Sequence, residues 1–157
     1  MIRSKLYEVN NAPYNTRENL GFTTCNSRDF GCGLCRHSKS TKTHTSSKFS
    51  KTFDIKSQIK CQDEYVIYSI QCKKCPNTQY IGQTSQTARK RFSGHLQDIR
   101  KKDESKPVSK HFSSRGHTEH DMIFTPFEKL RQKDKTMLNV REKFWINTKQ
   151  PNLNKQY

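Results

Sequence analysis

Long apolar runs are missing from this sequence, and no stretch approaches the roughly 20 residues that a membrane span requires. The opening residues Met1, Ile2, Arg3, Ser4, Lys5 and Leu6 lack the apolar segment of a secretory leader. No membrane partner is expected, and the cysteines are expected in a reducing compartment. There, Cys-x-x-Cys pairs read as metal sites before they read as disulfides. Apolar residues of all kinds are scarce, at 30% of 157 residues with a mean hydropathy of -1.07. That length suits one domain, or one with a small appendage, and a chain this polar calls for a staple such as metal or disulfide. Acids are scarce as well: 14 Asp and Glu face 30 Lys and Arg, for a formal charge of +16. Such an imbalance favours a polyanionic partner, nucleic acid first and an acidic membrane surface second, because Lys and Arg release counterions when they neutralise phosphates. The plainer alternative is a solvated basic surface. Internal repeats are absent too.

Residues 1–24 show no periodicity and include Asn10, Asn11 and Pro13, which reads as a connector cut from a longer polypeptide. Residues 25–61 are rich in Ser, Thr and Lys, hold Cys25, Cys32, Cys35 and Cys61, and offer few core-forming side chains. That is the pattern of a metal-pinned knuckle, with the basic, low-complexity residues 38–50 as a loop. Residues 62–157 read as the main domain. Residues 65–70 (Tyr-Val-Ile-Tyr-Ser-Ile) predict a strand, 73–78 with Pro76 and Asn77 a turn, and 79–82 a second, antiparallel strand. Across 87–100, Ala88, Phe92, Leu96 and Ile99 fall at helical spacing. Pro107 suits the first turn of a short helix ending near Ser114 and Gly116. Residues 122–127 predict a third strand, and Asp134 caps a helix with an apolar stripe through Leu138, Phe144, Trp145 and Ile146. The expected fold is α+β in the order β-β-α-α-β-α, a small three-stranded antiparallel sheet flanked by helices.

The hairpin sets Tyr68 and Tyr80 on neighbouring strands, where tyrosines alone would be packing residues. Gly82 closes the second strand, and its missing side chain permits close backbone approach. Arg91 and His95 lie one turn apart on the basic helix, and Glu142 sits on a helix whose other face is apolar. Together these residues resemble the GIY-YIG nuclease family. Val66-Ile67-Tyr68 stands at the first motif, with Val66 in place of its first glycine, and Tyr80-Ile81-Gly82 matches the second. Arg91 and His95 match the family's helix. Glu142, in Arg141-Glu142-Lys143-Phe144-Trp145-Ile146, resembles its metal-binding glutamate, and Asn154, in Pro151-Asn152-Leu153-Asn154, its terminal asparagine. The resemblance covers about residues 65–154. Cys72 and Cys75 inside the hairpin, followed by His111 and His117, resemble the endonucleases of Penelope-like retroelements, which also carry upstream cysteines. Cys-x-x-Cys with His-x5-His is near the usual spacing for a closed, structural Zn²⁺ site that would clamp the hairpin to the second helix. Cys25, Cys32, Cys35 and Cys61 could form a second zinc site, with His37 or His44 as substitute ligands; free thiols or a disulfide remain the alternatives.

The resemblance implies a DNA endonuclease that hydrolyses a phosphodiester bond. Glu142 would hold a Mg²⁺ or Mn²⁺ ion, Arg91 the phosphate's non-bridging oxygens, and Tyr68 or Tyr80 would help activate water in a positive field. His95 would be an orienting partner or a proton relay, and Asn154 would bond Glu142 or a tyrosine. Arg89, Lys90, Arg100, Lys101 and Lys102 would line an approach for DNA phosphates. No helix shows Asn or Gln on an obvious reading face, so weak sequence preference is expected. The retroelement likeness further implies a nuclear enzyme that nicks target DNA beside a reverse transcriptase module of the same polyprotein. The rival reading is a catalytically idle, zinc-dependent nucleic-acid-binding module; a repair nuclease of the same family is disfavoured by the hairpin cysteines.

Overall fold

The structure, a computed structural model, describes residues 19–25 and 32–154. Most of the expected connector lies outside the described residues. Its last part, Gly21–Thr23, is a strand (β1) that pairs in parallel with Gln58–Lys60 (β4). Between them come a short helix, Gly33–Arg36 (α1), and an antiparallel hairpin of Thr43–Ser46 (β2) and Lys51–Asp54 (β3). That hairpin occupies part of the expected loop at 38–50. Polar side chains face inward there: His44 and Ser46 are buried, and Ser46 donates to the Lys149 carbonyl at 3.0 Å. Phe22, Leu34, Ile55 and Ile59 are also buried and belong to the same core as the rest of the chain. The cysteine-rich segment therefore packs by apolar contact and not by cysteines alone.

The main sheet has the order β6-β5-β7, with Val66–Cys72 (β5) central, Gln79–Thr84 (β6) on one edge and Met122–Lys129 (β7) on the other, all antiparallel. The β-branched run of β5 suits a strand covered on both faces, and all but Gln71 are buried. Register sets Tyr68 opposite Gly82 and Ile70 opposite Tyr80, so both tyrosines and the glycine share one face. The helix Ala88–Arg100 (α2) is capped by Thr87, whose side chain accepts from Lys90 N. It turns Ala88, Phe92, His95 and Ile99 inward, so His95 takes the buried position expected for Leu96. Pro107 opens Pro107–Phe112 (α3), one turn shorter at its end than expected. Asp134 caps Lys135–Lys149 (α4) by accepting from Thr136 N and Met137 N. Leu138 faces the core from α4, but Phe144, counted in its apolar stripe, is 47% exposed. Its last residue, Lys149, is instead wholly buried, with Nζ 4.2 Å from the Phe127 ring centroid. A short turn at Asn152–Asn154 then closes on β6.

Candidate active site and metal centres

The face carrying Tyr68, Tyr80 and Gly82 receives α2. Nε of Arg91 donates to the Tyr68 hydroxyl at 3.0 Å, and that hydroxyl lies 2.8 Å from Nε2 of His95. With its oxygen accepting from Arg91, Tyr68 is placed to donate to a neutral His95. Burial pulls the His95 pKa down to about 3, helped by the charges of Arg91 and Lys106, so the ring is neutral at physiological pH. Tyr68 is wholly buried and its ring stacks 4.4 Å from Phe124. Burial pushes its pKa up, Tyr80 and Glu142 push the same way, and Arg91 offsets only part of this. The positive field that would favour a Tyr68 phenolate is therefore outweighed. Burial also works against the Arg91 charge, yet Tyr68 and Tyr80 outweigh it and its proton is held more firmly than usual.

Gly82 lies under this arrangement. A Cβ there would come within 2.5 Å of both Cζ and Oη of Tyr68 and 2.9 Å of the Tyr80 ring. The expected close approach at Gly82 was of backbone; the space is instead filled by two phenol rings. Tyr80 is half-buried, its ring 6.5 Å from that of Tyr68 and 6.0 Å from that of His95.

Glu142 comes from α4 to the same place: its charge acts on Tyr68, and that of Arg91 acts on it. The carboxylate is half-buried, and burial raises its pKa against the pull of Arg91 and Lys143. No hydrogen bond or ion pair holds it among the described residues. A desolvated carboxylate without a partner fits a hard divalent cation, which would favour its ionised form.

Asn154 does something other than expected. Its Oδ1 accepts from Ile81 N at 2.9 Å and its Nδ2 donates to Ile81 O at 2.8 Å, so both ends of the amide hold the backbone between Tyr80 and Gly82. It bonds neither Glu142 nor a tyrosine. Asn152, which the sequence reading missed, accepts from Gln79 N at 2.8 Å. The signal was the spacing: asparagines two apart meet strand residues two apart on the free edge of β6.

Two groups of side chains could hold a metal ion. The ligand atoms of Cys72, Cys75, His111 and His117 all lie within 4.8 Å of one another, with Cys75 Sγ 3.2 Å from His117 Nε2. Nε2 of His111 is buried with no hydrogen-bond partner, an orphan that a bound metal would satisfy. The group joins the β5–β6 hairpin to α3 and the loop after it. The second group is Cys25, Cys32, Cys35 and Cys61, again within 4.8 Å, and all six cysteines are free thiols. That crowding matches the ~3.8 Å between sulfurs in a tetrahedral zinc thiolate. The substitutes His37 and His44 are elsewhere: His37 Nδ1 lies 3.0 Å from the Met122 carbonyl, and the His44 ring stacks 4.1 Å from Phe127.

The cations expected to line one approach are divided. The Arg89 guanidinium donates to Cys61 Sγ at 3.2 Å. Arg100 is forked onto Glu119 at 2.8 and 2.9 Å. Lys90 lies near the start of α2, while Lys101 and Lys102 follow its far end, roughly 18 Å along the helix. All three lysines are exposed.

The fold and site define a small α+β domain in which two tyrosines, an arginine and a histidine gather on one sheet face, within range of the charge of a helix carboxylate. Residues 64–156 match the family model of the GIY-YIG catalytic domain, and the chain belongs to that family of nucleases. Searches of curated proteins and of solved structures gave no match. Among the described residues, no helix is long and apolar enough to cross a membrane.

Proposed function

We propose that this protein is a metal-dependent DNA endonuclease that nicks target DNA for a retroelement of the Penelope-like type. The observation that carries the enzymatic reading is the convergence of Arg91, His95 and Tyr68 over Gly82, with the unpartnered Glu142 beside them. Glu142 would hold a single Mg²⁺ or Mn²⁺. When bound, that ion would supply Lewis-acid stabilisation of the phosphate and of the departing 3′ oxygen.

The remaining roles belong to the chain itself. Arg91, anchored by its Nε on Tyr68, directs its terminal nitrogens to the non-bridging phosphate oxygens, where negative charge grows. Tyr68 keeps its proton and bridges Arg91 to His95, so it positions the guanidinium and is not the base. Tyr80 is left as the phenol that meets water, and the Arg91 charge reaches it. In its phenolate form it would take the proton of the water whose oxygen attacks phosphorus, while the 3′ oxygen leaves with the electron pair of the broken bond. His95, neutral and buried, orients Tyr68 and does not relay protons to solvent. Zinc at Cys72, Cys75, His111 and His117, and a second at the four upstream cysteines, would hold these parts in register.

The retroelement assignment rests on the cysteine and histidine pattern, and with it the nuclear setting and the reverse transcriptase module. The test is a supercoiled-plasmid nicking assay with and without Mg²⁺, on the intact chain and on Glu142→Ala. Nicking should require Mg²⁺ and fall at least roughly 100-fold in the variant, with DNA affinity changed less than about threefold. Equal nicking by the variant would remove Glu142 from the site. A wild type that binds but never nicks would favour the idle binding module.

A further inference from the structure

A groove of about 790 Å³ runs along the outer edge of β6, between the β5–β6 turn and the end of α4. Its lining departs from the rest of this surface. On a chain with 30 Lys and Arg, one lining residue, Lys48, carries a charge, while amides crowd the walls. Several of those amides have structural partners. Gln79 donates to Thr45 O and accepts from Ser47 N, Asn152 accepts from Gln79 N, and Gln150 accepts from Lys48 Nζ. Two do not: Asn77 in the turn and Asn147 on α4 are exposed and have no hydrogen-bond partner among the described residues. Gln150, at the mouth, is held in the left-handed conformation at φ 46°, an uncommon backbone state for any residue but glycine.

Cations fix a protein on phosphates without reading sequence, whereas side-chain amides match base edges. An Asn amide pairs bidentately with N6 and N7 of adenine. The groove is also tied to the chemistry through one strand. Asn152 and Asn154 hold the backbone of Gln79 and Ile81, which alternate along β6 with Tyr80 and Gly82. Alternation points Gln79 to the groove side and Tyr80 to the opposite face, so groove and site meet around the free edge of β6, and DNA lying across that edge would touch both. We infer that this groove reads base edges beside the scissile bond, with Asn77 and Asn147 as specificity-determining residues and adenine as the base they suit. This rests on the DNA-nicking reading and replaces the expectation of weak sequence preference, which considered helix faces and not a groove built from a turn and a helix end.

The test separates reading from cutting. The full chain with its bound metals, and an Asn77→Ala/Asn147→Ala double variant, are each mixed with a pool of random duplexes without added Mg²⁺, and the bound fraction is sequenced. The wild type should enrich an adenine-containing motif roughly fivefold or more. The double variant should lose that motif while keeping its affinity for the whole pool within about threefold, since both side chains are exposed and neither holds the fold. A flat wild-type pool, or a motif that survives both substitutions, overturns the inference. A motif from a protein that never nicks would sink the enzymatic reading and leave this one standing; nicking from a protein with a flat pool would do the reverse. Absence of any DNA binding would end both.

Discussion

At position 82 the space for a side chain is already taken. A Cβ would sit 2.5 Å from the Tyr68 ring, and Tyr68 cannot swing away because it is buried and stacked on Phe124. Gly82→Ala should therefore displace Tyr68 from Arg91 and His95, costing about 1–3 kcal/mol of stability. Single-turnover nicking should fall roughly tenfold or more with it. A variant that melts and cuts like the wild type would show that the rings have room to move. His44 supports a prediction about pH. Burial, then the charge of Lys149, pulls its pKa from the ordinary 6.5 to about 3, so the native state holds it neutral. Unfolded chain binds that proton below about pH 6.5, so the stabilisation is complete above 6.5 and is lost as pH falls toward 3. His95 acts in the same direction over the same window. Denaturation midpoints at pH 7, 5 and 4 should show an acid limb that His44→Phe flattens by up to about 1.4 kcal/mol per pH unit. An unchanged slope in that variant would contradict the neutral, buried ring.

Among the elements, those with strong local signals were legible before any coordinates. β5 announces itself by its β-branched run, α2 by the helical spacing of Ala88, Phe92 and Ile99, and α4 by Asp134, whose side chain does cap it. The β2–β3 hairpin was not legible, because its inward positions are His44 and Ser46 and no apolar alternation marks it. Lys149 was hidden for a related reason: a lysine in the last turn of a helix reads as a solvated cation, and only tertiary packing encloses it among aromatic rings. At the site, the resemblance named Tyr68, Tyr80, Arg91, His95 and Glu142, and the fold brings Tyr68, Tyr80, Arg91 and His95 into contact. Residue order could not reveal that Arg89 and Arg100 are engaged by Cys61 and Glu119, partners 28 and 19 residues away. The Asn154 contact carries a prediction at this scale. Removing its amide leaves a buried N–H and C=O of Ile81 unpaired on the free edge of β6. Asn154→Ala should cost about 2 kcal/mol or more, and Asn154→Asp, which keeps an acceptor and loses the donor, should fall between. Chemical denaturation gives both values; equal stability of all three proteins would mean that β6 needs no such clamp.

Across the whole molecule, the question is what lets so polar a chain hold one arrangement. Its single core spans the cysteine-rich segment and the catalytic domain, and the four-cysteine group lies where they meet. That group touches the start of α2 twice: Arg89 N donates to Cys61 O at 2.9 Å and the Arg89 side chain donates to Cys61 Sγ, while Ala88 N donates to nearby Asp63 O at 2.9 Å. A zinc held by four thiolates carries a net charge near −2, so the Arg89 guanidinium would offset part of it, a role distinct from binding DNA. The second group, reached from β5, the following turn, α3 and its loop, would with a bound metal secure the other end of the β5–β6 hairpin. Metal binding at both would therefore be coupled to folding, because an unfolded chain has no preformed site. Metal analysis of the purified protein should find about two zinc ions per chain. A zinc-selective chelator should lower Tm by roughly 10 °C or more, and restored zinc should recover it. Cys61→Ser should lose one equivalent and destabilise the start of α2, read as faster amide exchange at residues 90–92, while the Cys72–Cys75–His111–His117 group keeps its metal. A zinc-free protein with an unchanged melting curve would leave the core and the caps to hold the catalytic face unaided.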